Sequence, residues 1–195
     1  MGTVKSNILV RDVMPFMAAL AALGLAALAL DALLHYFELV WVGRYFGIAG
    51  TLLIIGSFGY SARKHKLIHR GNPVALLRWH ERLAWAGSLL ILVHAGVHFN
   101  AVLAWLAILA MLVVVTSGLT GKFLLKRARL RFDGERKQLL AAGLSADEVE
   151  VRTHWDSLTY GAVKQWRAVH VPITLAFGVA ALGHIVAIFL FWGWK

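Results

Sequence analysis

Residues 76–99, LLRWHERLAWAGSLLILVHAGVHF, decide how this chain is read, because an apolar segment of helical length carries His80 and His94 fourteen residues apart. Residues 166–184, WRAVHVPITLAFGVAALGH, repeat the device with His170 and His184 at the same separation. At roughly 100° per residue, a step of fourteen falls about 40° short of four full turns, so both imidazoles of a pair leave one face of a helix. The rise between them is roughly 21 Å at about 1.5 Å per residue, most of the thickness of a bilayer core.

Composition places these segments in a membrane. Of 195 residues, 59% are hydrophobic and 15% charged, and mean hydropathy is +0.69. A soluble domain is less apolar and more charged. The apolar runs have the length that hydrocarbon requires. The expected fold class is an all-α integral membrane protein, a single domain over residues 1–195 forming a five-span helical bundle. Its spans are expected at about 14–34, 44–61, 82–99, 101–124 and 168–192, with a cytoplasmic loop at 126–166. The first run follows a polar tail and is too long for the apolar part of a signal peptide, so it is expected to remain as a span.

Charge sets the expected orientation. Eighteen of the 20 Lys and Arg lie in three regions: the N-terminal tail, residues 62–82 and residues 122–167. Five spans put these three regions on one side, and the positive-inside rule makes that side cytoplasmic. The N-terminus is then inside and the C-terminus outside, in a bacterial inner membrane. The net charge of +10 is thereby assigned to topology and anionic lipid rather than to nucleic acid, and a docking surface for an acidic redox partner stays open. Within the 126–166 region, Ser145-Ala-Asp-Glu148 has the pattern of a capping box and Gly143 suits the end of a preceding helix. Two short amphipathic helices are expected there.

The absence of cysteine excludes disulfides, thiolate ligands, covalent haem attachment and cysteine-ligated iron–sulfur clusters. Any iron is held by nitrogen or oxygen. One span separates the two histidine-bearing spans, so these run in the same direction. His80 then pairs with His170 near the cytoplasmic side, and His94 with His184 near the outer side. Two facing imidazoles are the axial set of a haem, and helix bundles hold cofactors between facing helices. The metal ligands are therefore expected to be His80, His94, His170 and His184, clamping two haems b. For each histidine taken alone, an interhelical hydrogen bond is the other reading.

Other residues are read around this quartet. Gly87, seven residues from each histidine of its span, and Gly178, eight after His170, are candidate contacts for a porphyrin edge; small-residue helix packing is the alternative. Arg78, Arg82 and Arg167 are candidate partners for anionic propionates or interfacial anchors. His98, four residues past His94, is a candidate for ligand exchange, a propionate bond or a quinone pocket.

This pattern resembles the membrane-embedded di-haem b-type cytochromes. His80-x13-His94 and His170-x13-His184 are similar to the ligand pattern of cytochrome b in the bc1 and b6f complexes, and their place on the third and fifth spans resembles the ferric reductase-like transmembrane domain. The resemblance covers about residues 76–192 and leaves spans one and two as topology. It implies axial ligation of one haem b on each side of the membrane. Departures are that no flavin or NAD(P)H domain follows span five, that a sixth span is missing, and that no Pro-Glu-Trp-Tyr quinol motif is found. The expected function is transmembrane electron transfer by a membrane subunit whose partners are other redox subunits: a cytochrome, an iron–sulfur protein or a flavoprotein. Three alternatives stay open: a quinone-reactive subunit, a metal- or oxygen-reducing subunit fed by a separate protein, and a haem-free transporter or anchor.

Overall fold

The computed structural model describes residues 13–97 and 102–192. Among these residues the chain is helical and holds no strand. The helices are α1 (Met14–Tyr36), α2 (Val42–Ser57), α3 (Gly59–Lys64), α4 (Pro73–Val97), α5 (Val102–Leu119), α6 (Lys126–Ala141), α7 (Ala146–Arg152) and α8 (His154–Ala187). A π-helical turn at Thr120–Leu125 joins α5 to α6, and another at Ile188–Trp192 follows α8.

Among the described residues, four helices are long and apolar enough to cross a membrane: Met14–Tyr36, Val42–Lys64, Val102–Ala141 and Ala168–Phe191. The chain is an integral membrane protein on that ground. The third expected span, α4, is not among the four. Its 25 residues reach roughly 37 Å at about 1.5 Å per residue, but Arg78, His80, Glu81 and Arg82 lower the apolarity of its first half. The His98-Phe99-Asn100 turn and the N-terminal tail lie outside the described residues.

Local chemistry explains most helix ends. Asn72 precedes α4 and its Oδ1 accepts the Val74 N–H at 2.9 Å, while Pro73 takes the first helical position, where no N–H is needed. After α1 the chain turns with Glu38 at φ 57°, and the Leu39 N–H reaches back to the Leu34 carbonyl at 2.8 Å. That is a left-handed helix terminus occupied by glutamate instead of the usual glycine. The expected Ser145–Glu148 capping box is present in both directions, and Gly143 sits at φ +84° just after α6.

The region 126–166, where two short helices are expected, holds α6, α7 and the start of α8. α6 follows span four through the π-helical turn at Thr120–Leu125; no proline lies between Val102 and Phe132, and Lys, Arg and Leu favour a helix. The last helix starts at His154, about fourteen residues before the expected start of span five at 168, and passes through Pro172. The Thr174 hydroxyl donates to the His170 carbonyl at 2.7 Å beside that proline.

The chain divides into two compact units. One contains Thr116–Thr174 and the chain start up to Leu20; the other contains Ala21–Val115 and Leu175–Lys195. In the second unit, Ala27, Leu34 and Val93 are buried together with Leu30, Val42, Phe46, Leu89 and Leu92 packed against them. A second cluster joins Ala107, Met111 and Phe177 to Ile91, Leu92, Ala180 and Ala181. Gly183 faces Leu103 across α5 and α8. These contacts make α5 antiparallel to both α4 and this half of α8, so α4 and α8 run in the same direction here.

The tightest crossing is between α2 and α4. A Cβ added at Gly50 would lie 2.8 Å from the Gly87 carbonyl oxygen, and one added at Gly87 would lie 2.8 Å from that of Gly50. Only hydrogen fits on either side, which lets the two backbones touch.

Gly87→Ala is expected to destabilise the protein by about 1–3 kcal/mol through overpacking. Gly24→Ala, with open space around its added Cβ, is expected to be neutral or slightly stabilising. Thermal unfolding in detergent compares the two, and equal effects would contradict the crossing.

The Ser145 backbone N–H, and then its hydroxyl, hold the Glu148 carboxyl below the ordinary glutamate range. The ionised cap therefore contributes fully above that range and is lost as pH falls through the lowered value. Amide exchange in α7 is expected to be pH-independent in its protection at neutral pH and to lose protection in acid. Glu148→Gln should remove that acid step.

Candidate functional site

One unbroken α-helix carries both His80 and His94, so the expected single face is realised. That face meets α2. The His80 Nδ1 lies 3.0 Å from the Ser57 carbonyl oxygen, and the His94 Nδ1 lies 3.0 Å from the Gly43 carbonyl oxygen. The two acceptors stand seven residues either side of Gly50, as the two histidines stand seven either side of Gly87. Gly43, Gly50 and Ser57 are the buried residues of α2. One antiparallel register, centred on the glycine crossing, therefore sets both imidazoles.

This arrangement has a chemical consequence. A carbonyl oxygen only accepts, so Nδ1 carries the proton in each ring. The neutral ring then has its lone pair on Nε2, the form in which imidazole binds a metal. A hydrogen bond from the remote ring nitrogen also fixes ring orientation and raises ligand basicity. It compensates the burial of a polar group, which otherwise costs about 1–3 kcal/mol.

Glycine shapes the approach of His94. A Cβ at Gly47 would lie 2.9 Å from both Cγ and Cδ2 of the His94 ring. The imidazole thus lies against bare backbone. Near His80 the neighbour is aromatic: its ring and that of Tyr60 have centroids 5.9 Å apart.

His170 and His184 also share one unbroken helix. The His170 Nδ1 is 3.0 Å from the Ser117 hydroxyl, and Ser117 is buried. A Cβ at Gly118 would stand at ordinary contact, 3.9 Å from the ring's Cε1. His184 follows Gly183, whose added Cβ would meet Leu103 Cδ2 at 3.3 Å.

The remaining candidates divide. Gly87 is occupied by the helix crossing. Gly178 has open space where its side chain would be. Arg78 is exposed, and the Arg82 guanidinium sits 6.0 Å from the Trp79 ring centroid. Arg167 lies on α8, with its side chain outside the described part of the structure; His98 is outside it altogether. His35 is exposed at the end of α1, its Nδ1 2.9 Å from the Asp31 carbonyl.

Among the described residues, no three His, Asp or Glu side chains gather as a cation cage. An iron porphyrin needs no such cage, because the macrocycle supplies four nitrogens and the protein only axial ligands. The donor chemistry of His80 and His94 fits that requirement. Comparisons with family models, with curated proteins and with solved structures give no match.

Gly43 and Ser57 were not singled out by the sequence reading. A usable signal existed on α2: the small residues Gly43, Gly50 and Ser57 repeat at the same seven-residue interval as His80, Gly87 and His94. Gly47→Ala is expected to displace the His94 ring and lower stability by about 1–3 kcal/mol. Gly56→Ala, whose Cβ would sit 3.6 Å from Leu83 Cδ1, should cost much less. A thermal-unfolding ranking with Gly56→Ala as the more damaging change would contradict this placement.

Proposed function

We propose that this protein carries electrons across a membrane on two haems b, held by His80 with His170 and by His94 with His184. The observation that carries the reading is the matched pair of histidine pairs, with both imidazoles of α4 donating an Nδ1–H to a carbonyl oxygen of α2. That tautomer puts the lone pair that would bind iron on Nε2, at two levels about 21 Å apart along the helix. The parallel course of α4 and the C-terminal half of α8 supports pairing His94 with His184. The pairing of His80 with His170 rests on spacing.

The chain's own groups have definite tasks in this reading. Bound haem supplies a one-electron ferric/ferrous couple. The four histidines would hold the two groups in pairs, and bis-histidine ligation would favour electron transfer over binding of a substrate at the metal. The α2 carbonyls keep the imidazoles in the ligating tautomer. Arg78 and Arg82, at the basic end of α4, are placed to balance propionate charge.

The same reading makes α4 a fifth span. Its two polar rings are hydrogen-bonded to α2, which lowers their burial cost. The basic segments then face the cytoplasm with the N-terminus, in a bacterial inner membrane. Electrons pass to or from partner redox subunits, such as a cytochrome, an iron–sulfur protein or a flavoprotein. A quinone is a further candidate reactant.

A reduced-minus-oxidised spectrum with haem quantification is expected to show two b-type haems per chain. His94→Ala or His184→Ala should remove one of them, and His80→Ala or His170→Ala the other. A purified, folded chain without a Soret band would overturn the proposal and favour a haem-free transporter or anchor.

A further inference from the structure

We infer that the Ser117 hydroxyl is the acceptor that fixes the proton on His170 Nδ1, making Ser117 a positioning residue for that ligand and His170 a weaker electron donor than His80 and His94. The inference deepens the two-haem reading and rests on it.

The contrast among the three rings carries the argument. His80 and His94 each meet a peptide carbonyl at 3.0 Å. His170 meets a side-chain hydroxyl at the same distance. Ser117 and His170 lie in the same compact unit, and Ser117 is only 4% exposed, so water does not readily replace it. Gly118, beside it, presents no side chain to the ring. A serine oxygen has two lone pairs and one proton. When it accepts from Nδ1–H, His170 takes the same tautomer as His80 and His94, with its lone pair on Nε2. When it donates instead, Nε2 keeps a proton and cannot ligate. Ligation by His170 therefore requires Ser117 to be the acceptor.

The identity of the acceptor tunes the ligand. A hydroxyl oxygen carries less negative charge than a peptide carbonyl, so it draws the Nδ1 proton less strongly. The imidazole is then less basic, and the oxidised iron is less stabilised. The helix backbone fixes the acceptors of His80 and His94. At His170, in contrast to His80 and His94, the acceptor is a side chain that a substitution can remove.

Ser117→Ala and Ser117→Thr in the full chain test this, with redox titration of both haem components and the rate of haem loss as readouts. Ser117→Ala is expected to raise the midpoint potential of one component, leave the other in place, and weaken haem retention at the affected centre about 10-fold. Ser117→Thr keeps the hydroxyl and should restore both properties. Unchanged potentials in Ser117→Ala, or equal shifts of both components, would overturn the Ser117 assignment while leaving the two-haem reading intact. A wild-type chain that binds no haem overturns the two-haem reading, and the ligand role of Ser117 with it.

Discussion

The contact of Gly50 with Gly87 is the constraint from which the rest of the site follows. Two helices carrying ordinary side chains pack with axes about 8–10 Å apart. Bare backbone at the crossing permits a closer approach, and only a close approach lets imidazoles on one helix reach backbone carbonyls of the other. The register is fixed at the same time. A seven-residue step drifts only about 20° around a straight helix, so groups seven residues from the crossing still face the partner helix. The positions that do so are Gly43 and Ser57 on α2, and His80 and His94 on α4.

This arrangement reconciles a polar helix with an apolar surrounding. α4 carries histidines and charges that keep it outside the group of clearly membrane-crossing helices. Its two rings meet acceptors provided by α2, which is itself apolar enough to cross. The acceptors are peptide carbonyls whose place depends on the helix and not on a rotamer. Ring orientation is therefore tied to the packing of α2 on α4, and a disturbance at the glycine crossing reaches both histidines together.

Much of the architecture was legible in the sequence. The first, second, fourth and fifth apolar segments appear as helices close to their expected places, because length and apolarity alone determine them. Asn72-Pro73, Gly143 and the Ser145–Glu148 box mark their helix ends as turn and cap chemistry requires. The region 126–166 was less legible. Two short helices were legible there from the capping box and Gly143, but not that α5 runs through a π-helical turn into α6 or that α8 begins as early as His154. The role of α2 was the main omission. Hydrogen bonds to backbone carbonyls leave no trace in residue type, so a histidine pattern shows where ring nitrogens stand but not what holds their protons. Gly87 shows the converse: its position between two histidines suited a porphyrin edge, and its neighbour is another glycine.

The account holds that the histidines present Nε2 as axial ligands, in pairs, to two irons. Electron paramagnetic resonance of the oxidised full-length protein tests this most directly, because axial ligation sets the spin state of ferric haem. Two low-spin signals of the bis-imidazole type, together accounting for all the haem, are the predicted result. A dominant high-spin signal, showing iron with an open or weakly filled axial position, would contradict it.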